Sequence, residues 1–237
     1  MGPTISLPKT DISNYSITDI SHKKPSKSTK KETLFILDWD DTLMCTSFIS
    51  LKSSALSEEE KNIVGILGIT VSKFLEECSK YGNIIIMTNS SQEWMIKTAK
   101  NYLKLNPKIF ENIKVISTRD KYLKKGIEKK RWKEIALEEL ISKFGHKIEN
   151  LICATDSKND IEVFSNISKG NHEINISTIK FKSKPSPLIM IKEIEYLKKS
   201  LYKIIGTNKH YSLIKEKNKN DDFYLSFGSL LDYIFPN

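Results

Sequence analysis

Cysteine is scarce in this 237-residue chain, and the three present (Cys45, Cys78, Cys153) show no CxxC spacing. No histidine stands near any of them at metal-ligand spacing, which excludes a zinc ribbon and a disulfide scaffold. They read as small core residues of a reducing compartment. Long apolar runs are also missing. No stretch approaches the ~18 residues that span a bilayer. The N-terminus lacks the charged-then-apolar order of a signal peptide. These absences predict a soluble, cytoplasmic protein, with delivery into another cell by a signal-less route left open. There is no internal repeat, no second nucleotide-binding motif and no basic stripe interleaved with aromatics.

What is present is charge. Thirty-eight Lys and Arg against 29 Asp and Glu give a formal net charge of +9. A pI near 9.2 follows, and it favours acidic partners: phosphorylated substrates, nucleic acid or anionic lipid. Hydrophobic residues make up 39% of the chain, enough for one core, and the length suits one domain of roughly 170 to 200 residues plus tails. Residues 1–31 (Ser, Thr, Pro and Lys without apolar periodicity) are expected to form a flexible basic tail. Residues 32–206 form the predicted domain, and 207–237 a C-terminal tail. Within that tail, the polar stretch 208–222 is expected to be mobile, and Phe223 to Pro236 to dock on the core. The basic and aromatic tails leave membrane contact open.

Four short apolar runs predict buried strands: Thr33–Asp38, Ile84–Met87, Ile113–Ile116 and Leu151–Ala154, with Ile174–Phe181 a weaker fifth. Helical patterns alternate with them. Ser57-Glu58-Glu59-Glu60 is a capping box opening a helix that is expected to break near Gly65 and Gly68, resume at Val71 and end at Gly82. Ser90-Ser91-Gln92-Glu93 reads as a second capping box, starting a helix to about Leu103. Helices are also predicted over 131–144 and 187–204. Strand–helix alternation implies an α/β, Rossmann-like three-layer sandwich around a five-stranded parallel sheet. Ligands would bind at the strands' carboxyl ends.

The chemistry concentrates at those ends. Asp38-Trp39-Asp40-Asp41-Thr42 places three carboxylates in four residues directly after the first strand, where they repel one another unless a cation intervenes. Such hard oxygen ligands suit Mg²⁺. An acidic turn or a helix cap at Asp41 is the plainer reading. Thr88 ends the second strand, where its hydroxyl and the following amides suit a phosphoryl oxygen at a helix start or, more simply, a cap. Lys133 opens the third helix, with Lys129 or Lys130 as substitutes should that helix start earlier. Asp156-Ser157-Lys158-Asn159-Asp160 follows the fourth strand.

The order of these pieces resembles the haloacid dehalogenase (HAD) superfamily. Its DxDx[T/V], Ser/Thr, Lys and DxxxD motifs read here as Asp38/Asp40/Thr42, Thr88, Lys133 and Asp156/Asp160. The likeness spans about residues 33–182. The local forms Asp38-Trp39-Asp40-Asp41-Thr42-Leu43, Met87-Thr88-Asn89 and Arg131-Trp132-Lys133 resemble a DWDDTL-motif subgroup. Thr155 departs from the pattern, since many members have Gly there. The resemblance implies a phosphatase in which Asp38 is the nucleophile and Asp40 the general acid and base. It further implies Mg²⁺ held by Asp38, Asp156 and the Asp40 carbonyl, and phosphate bound by Thr88, Asn89 and Lys133. Thr42 and Asp160 support the site. Receiver domains place their phospho-accepting Asp after the third strand, where this chain has Ser117-Thr118-Arg119, so that reading fails.

Neither 41–83 nor 88–133 has room for a folded cap domain, which makes the expected site open and suited to a phosphorylated macromolecule. A phosphoprotein is the leading expectation, phosphotyrosine first. A nucleic-acid end phosphatase and a catalytically silent adaptor are the alternatives. The basic loop 121–131 is expected at the site mouth, where it would steer an anionic substrate.

Overall fold

The computed structural model describes residues 32–52, 56–170, 173–207 and 209–212. The expectations for residues 1–31 and for 213–237 lie outside the described residues. The described part falls within one compact unit, Lys31–Asn237.

Six parallel strands form one sheet in the order β3-β2-β1-β4-β5-β6. They are β1 (Glu32–Leu37), β2 (Gly82–Thr88), β3 (Lys114–Ser117), β4 (Ile148–Thr155), β5 (Asn175–Lys180) and β6 (His210–Ser212). The five expected strands are all present. The sixth was not expected: its three residues pair with Thr178–Lys180. The sheet therefore continues past residue 206, the expected domain boundary, and three residues of polar chain carry too little pattern to reveal a strand.

Both faces of the sheet are covered. β1 shows why, since its apolar residues alternate between two separate cores. Phe35 and Leu37 face a cluster with α2 (Glu58–Tyr81), α3 (Gln92–Asn101) and α7 (Pro187–Ile204). Leu34 and Ile36 face the opposite cluster, with α5 (Trp132–Phe144) and Phe164 of α6 (Lys158–Gly170). A strand apolar on both faces reads as an unbroken run, and that is how it appears in the sequence. Two short helices, α1 (Thr46–Leu51) and α4 (Thr118–Tyr122), complete the set. Neither they nor α6 were expected. Segments 41–83 and 88–133 are taken up by these elements, so no cap domain is inserted there.

Two helix expectations need correction. α2 runs unbroken through Gly65 and Gly68 from its capping box at Ser57. Gly68 is a packing device, because a Cβ there would collide with the backbone of Leu103. As expected, α2 ends at Gly82, the C-cap, whose N–H donates to the Cys78 carbonyl; its backbone there is fully extended (φ 178°). Gly82 opens β2 where a Cβ would strike the Thr33 carbonyl. The N-cap of α3 is Ser91, whose hydroxyl accepts from Trp94 N–H. Ser90, one residue earlier, is committed elsewhere.

From β1 the chain crosses to β2 on one side and returns later to β4 on the other. The loops after β1 and β4 therefore diverge at the point where strand order reverses. A parallel sheet opens its ligand crevice there.

Candidate active site

Leu37 pairs with Ala154 across β1 and β4, so the residues that follow them, Asp38 and Thr155-Asp156, emerge side by side. The Thr42 hydroxyl accepts from Asp156 N–H at 3.0 Å and ties the two loops together. Asp38, Asp40, Asp156, Asp160, Asn89 and Lys133 line one open cavity of about 560 Å³.

Lys133 is the only one of the three candidate lysines buried here, 3% exposed. Its Nζ lies 2.6 Å from Asp38 Oδ2 and 2.6 Å from Asp160 Oδ2. Burial alone would weaken its hold on its proton, but those two carboxylates outweigh it and hold the ammonium above the ordinary lysine range. The Asp38 carboxyl is pushed up to about 6 by burial, despite the neighbouring Lys133. Asp38 Oδ1 accepts from Trp39 N–H at 2.8 Å. The Thr155 hydroxyl donates to Asp38 Oδ2 at 3.2 Å and to Asp160 Oδ2 at 3.1 Å. Thr155, the departure from the superfamily pattern, thus joins the network without crowding the loop.

Asp40 is held by four donors. Oδ1 accepts from Thr46 Oγ1 (2.7 Å) and Trp94 Nε1 (3.1 Å). Oδ2 accepts from Ser90 Oγ (2.6 Å) and Thr88 Oγ1 (3.2 Å). The Thr88 hydroxyl also receives Ser90 N–H. Thr88 is fully buried behind Asp40, while Asn89 and Ser90 reach the cavity. Asp41 takes a left-handed backbone (φ 53°), tolerated by Asp. Its carboxylate binds the backbone N–H and hydroxyl of Ser47 in the first turn of α1. The plainer reading of Asp41 as a local turn and cap residue describes this contact.

Asp156 stands opposite. Its carboxyl is pushed up to about 7 by burial and by the charges of Asp38 and Asp41. Its backbone carbonyl accepts from the Lys180 ammonium and from Ser183 Oγ (2.8 Å). Lys180 also donates to the Phe181 carbonyl at 2.7 Å. One buried lysine at the end of β5 thereby pins the β4–α6 loop. Sequence reasoning missed Lys180, Thr46, Ser90 and Trp94. The hydroxyls close to known motifs offered a weak signal. Lys180, in a chain so rich in lysine, offered none.

Among the described residues no group of three or more His, Cys, Asp or Glu converges as a metal cage. Mg²⁺ does not need one, since it takes one or two carboxylates and keeps several waters. The cavity is lined by five carboxylates against three cations, Lys133, Arg119 and Lys129. Two negative charges in excess, with Asp156 forced towards its neutral form, are the electrostatics that a divalent cation relieves. The residues fit the ion.

A doubly wound parallel sheet with a lysine-bridged carboxylate pair at its switch point is the arrangement expected of a HAD-type phosphohydrolase. The family of NLI interacting factor-like phosphatases matches residues 33–152, half the chain, and the protein belongs to that family. It is accordingly a phosphoric monoester hydrolase. Among solved structures it is similar to the HAD domain of the effector protein Lem4 from Legionella pneumophila. Identity is 15%, with 75% of this chain and 97% of that one covered at a TM-score of 0.42. No curated protein matches the chain.

Proposed function

We propose that the protein is a Mg²⁺-dependent phosphoprotein phosphatase, phosphotyrosine first, working through a phosphoryl-aspartate on Asp38. The observation that carries the chemistry is the Asp38–Lys133–Asp160 bridge, placed between Asp40 on one loop and Asp156 on the other. Asp38 is the buried carboxylate that attacks phosphorus, dividing one hard displacement into two. Lys133 keeps it oriented and is charged to meet a phosphoryl oxygen. Asn89 and Ser90 face the same space; Thr88 acts from behind, through Asp40. Asp40 delivers a proton to the leaving oxygen and then receives one from the water that hydrolyses the acyl phosphate. Asp38, Asp156 and the Asp40 carbonyl are the ligand set, and Asp160 supports it by sharing Lys133. Bound Mg²⁺ supplies charge neutralisation that lets an anionic carboxylate meet an anionic phosphate.

Openness supports a large substrate, because no inserted domain covers the cavity among the described residues. A tyrosyl leaving group (pKa ~10) needs less acid assistance than an alkoxide. Hydrolysis of aryl phosphate, phosphotyrosyl and phosphoseryl peptides, and 3′-phosphorylated oligonucleotides tests the reading. Turnover is expected on aryl phosphate and phosphotyrosyl peptide, lost reversibly with EDTA. Asp38→Asn is expected to lower it by about 10³-fold or more. Undiminished Asp38→Asn activity would refute the nucleophile. Preference for the oligonucleotide would move the substrate class.

A further inference from the structure

The segment 119–131 is dense in cations, but they are not alike. Lys121 pairs with Glu139, Lys130 with Glu128 and Arg131 with Glu134. Lys125 lies over the Tyr122 ring. Arg119 and Lys129 have no carboxylate partner among the described residues, and these two line the cavity that holds Asp38. Lys124 is likewise without a described partner but does not line the cavity. So three of the cations pointing elsewhere are paired with carboxylates, while neither cation at the site mouth is. The cavity, about 560 Å³, is the size of a small-ligand pocket, roomier than one phosphoryl group requires.

We propose that Arg119 and Lys129 form a subsite for a second anionic group on the substrate, a carboxylate or second phosphate borne beside the phosphorylated residue. This rests on the phosphopeptide reading of the same site. Arg119 presents a planar fork suited to a carboxylate or phosphate in two-point contact, and Lys129 a mobile point charge. Both are exposed, so each ion pair contributes a factor of a few and is screened by salt.

Three phosphotyrosyl peptides test it: one with alanine neighbours, one with glutamates, and one with an adjacent second phosphotyrosine. The readout is the acidic-to-neutral ratio of kcat/KM within each protein. Wild type is expected to show a ratio of about 10 at low ionic strength, shrinking towards 1 in high salt. Arg119→Ala/Lys129→Ala is expected to bring it below about 2, while Lys124→Ala keeps it. Preference for the phosphate arm alone identifies the second group as phosphate; preference for both identifies it as any anion. A wild-type ratio near 1, or a ratio that survives the double substitution, overturns the subsite. Binding of the same peptides to Asp38→Asn, followed by fluorescence polarisation, separates the two readings. A binding preference abolished by the double substitution supports the subsite even if wild type hydrolyses nothing, in which case only the phosphatase reading fails. Equal binding of acidic and neutral peptides sinks the subsite regardless of turnover.

Discussion

An indole N–H can donate a hydrogen bond and cannot accept one. Trp94 Nε1 therefore fixes Asp40 Oδ1 as an acceptor. The partners of Oδ2, Thr88 and Ser90, are hydroxyls that serve as donor or acceptor in turn. On the proposed mechanism, the proton bound for the leaving group travels on Oδ2. Trp94→Phe keeps an aromatic ring but removes the N–H, leaving Oδ1 with the Thr46 hydroxyl alone, a partner that can donate or accept. It is expected to slow hydrolysis of an alkyl phosphate by about 10-fold. A nitrophenyl phosphate, whose leaving group hardly needs a proton, is expected to be slowed far less. Equal losses on both substrates in a leaving-group series would show that Trp94 only packs.

At the scale of elements, α2 carries two glycines with opposite duties. A Cβ at Gly65 meets nothing within 4 Å, whereas one at Gly68 meets the Leu103 backbone. Gly65→Ala is expected to raise stability by up to ~1 kcal/mol, through helix propensity. Gly68→Ala is expected to lower it by about 1–3 kcal/mol, because backbone cannot yield as a side chain does. Urea denaturation midpoints of the two variants check both signs, and a stabilising Gly68→Ala would contradict the close approach of α2 to the Leu103 backbone, just past the end of α3. The broken helix expected from the sequence treated both glycines as punctuation. Glycine lowers helix propensity locally, but burial of Val64, Leu67, Val71 and Phe74 along one helical face outweighs it.

For the molecule as a whole, the proposed Mg²⁺ site would link metal, protons and stability. Asp38 and Asp156 are pushed up to about 6 and about 7. A carboxyl raised above its unfolded value binds more protons folded than unfolded. Between the ordinary carboxylate range and about pH 7, the metal-free protein therefore loses stability as pH rises. Glu193, buried on α7 and also pushed up to about 7, adds the same slope. Mg²⁺ requires ionised ligands, so protons compete with it below about 7. The rise in Tm on adding Mg²⁺ is expected to be larger at pH 8 than at pH 5.5. The difference between scans with and without Mg²⁺ removes Glu193 from the comparison. An equal rise at both pH values would dissociate Asp156 from the ion.

The strands, their parallel alternation with helices and the order Asp38/Asp40, Thr88, Lys133, Asp156/Asp160 were legible because they are local. Apolar runs and loop-end carboxylates leave their mark within a few residues. Tertiary structure alone decided the rest. Lys133 is buried on the first turn of α5, whereas Lys129 and Lys130 lie exposed on the short 3-10 turn before it. Trp94, Ser90 and Lys180 act across 54, 50 and 24 residues of sequence. β6 exists because β5 offers an edge to pair with. Contacts made by chain crossing leave no periodicity behind; they are set by which loops the reversal of strand order brings face to face.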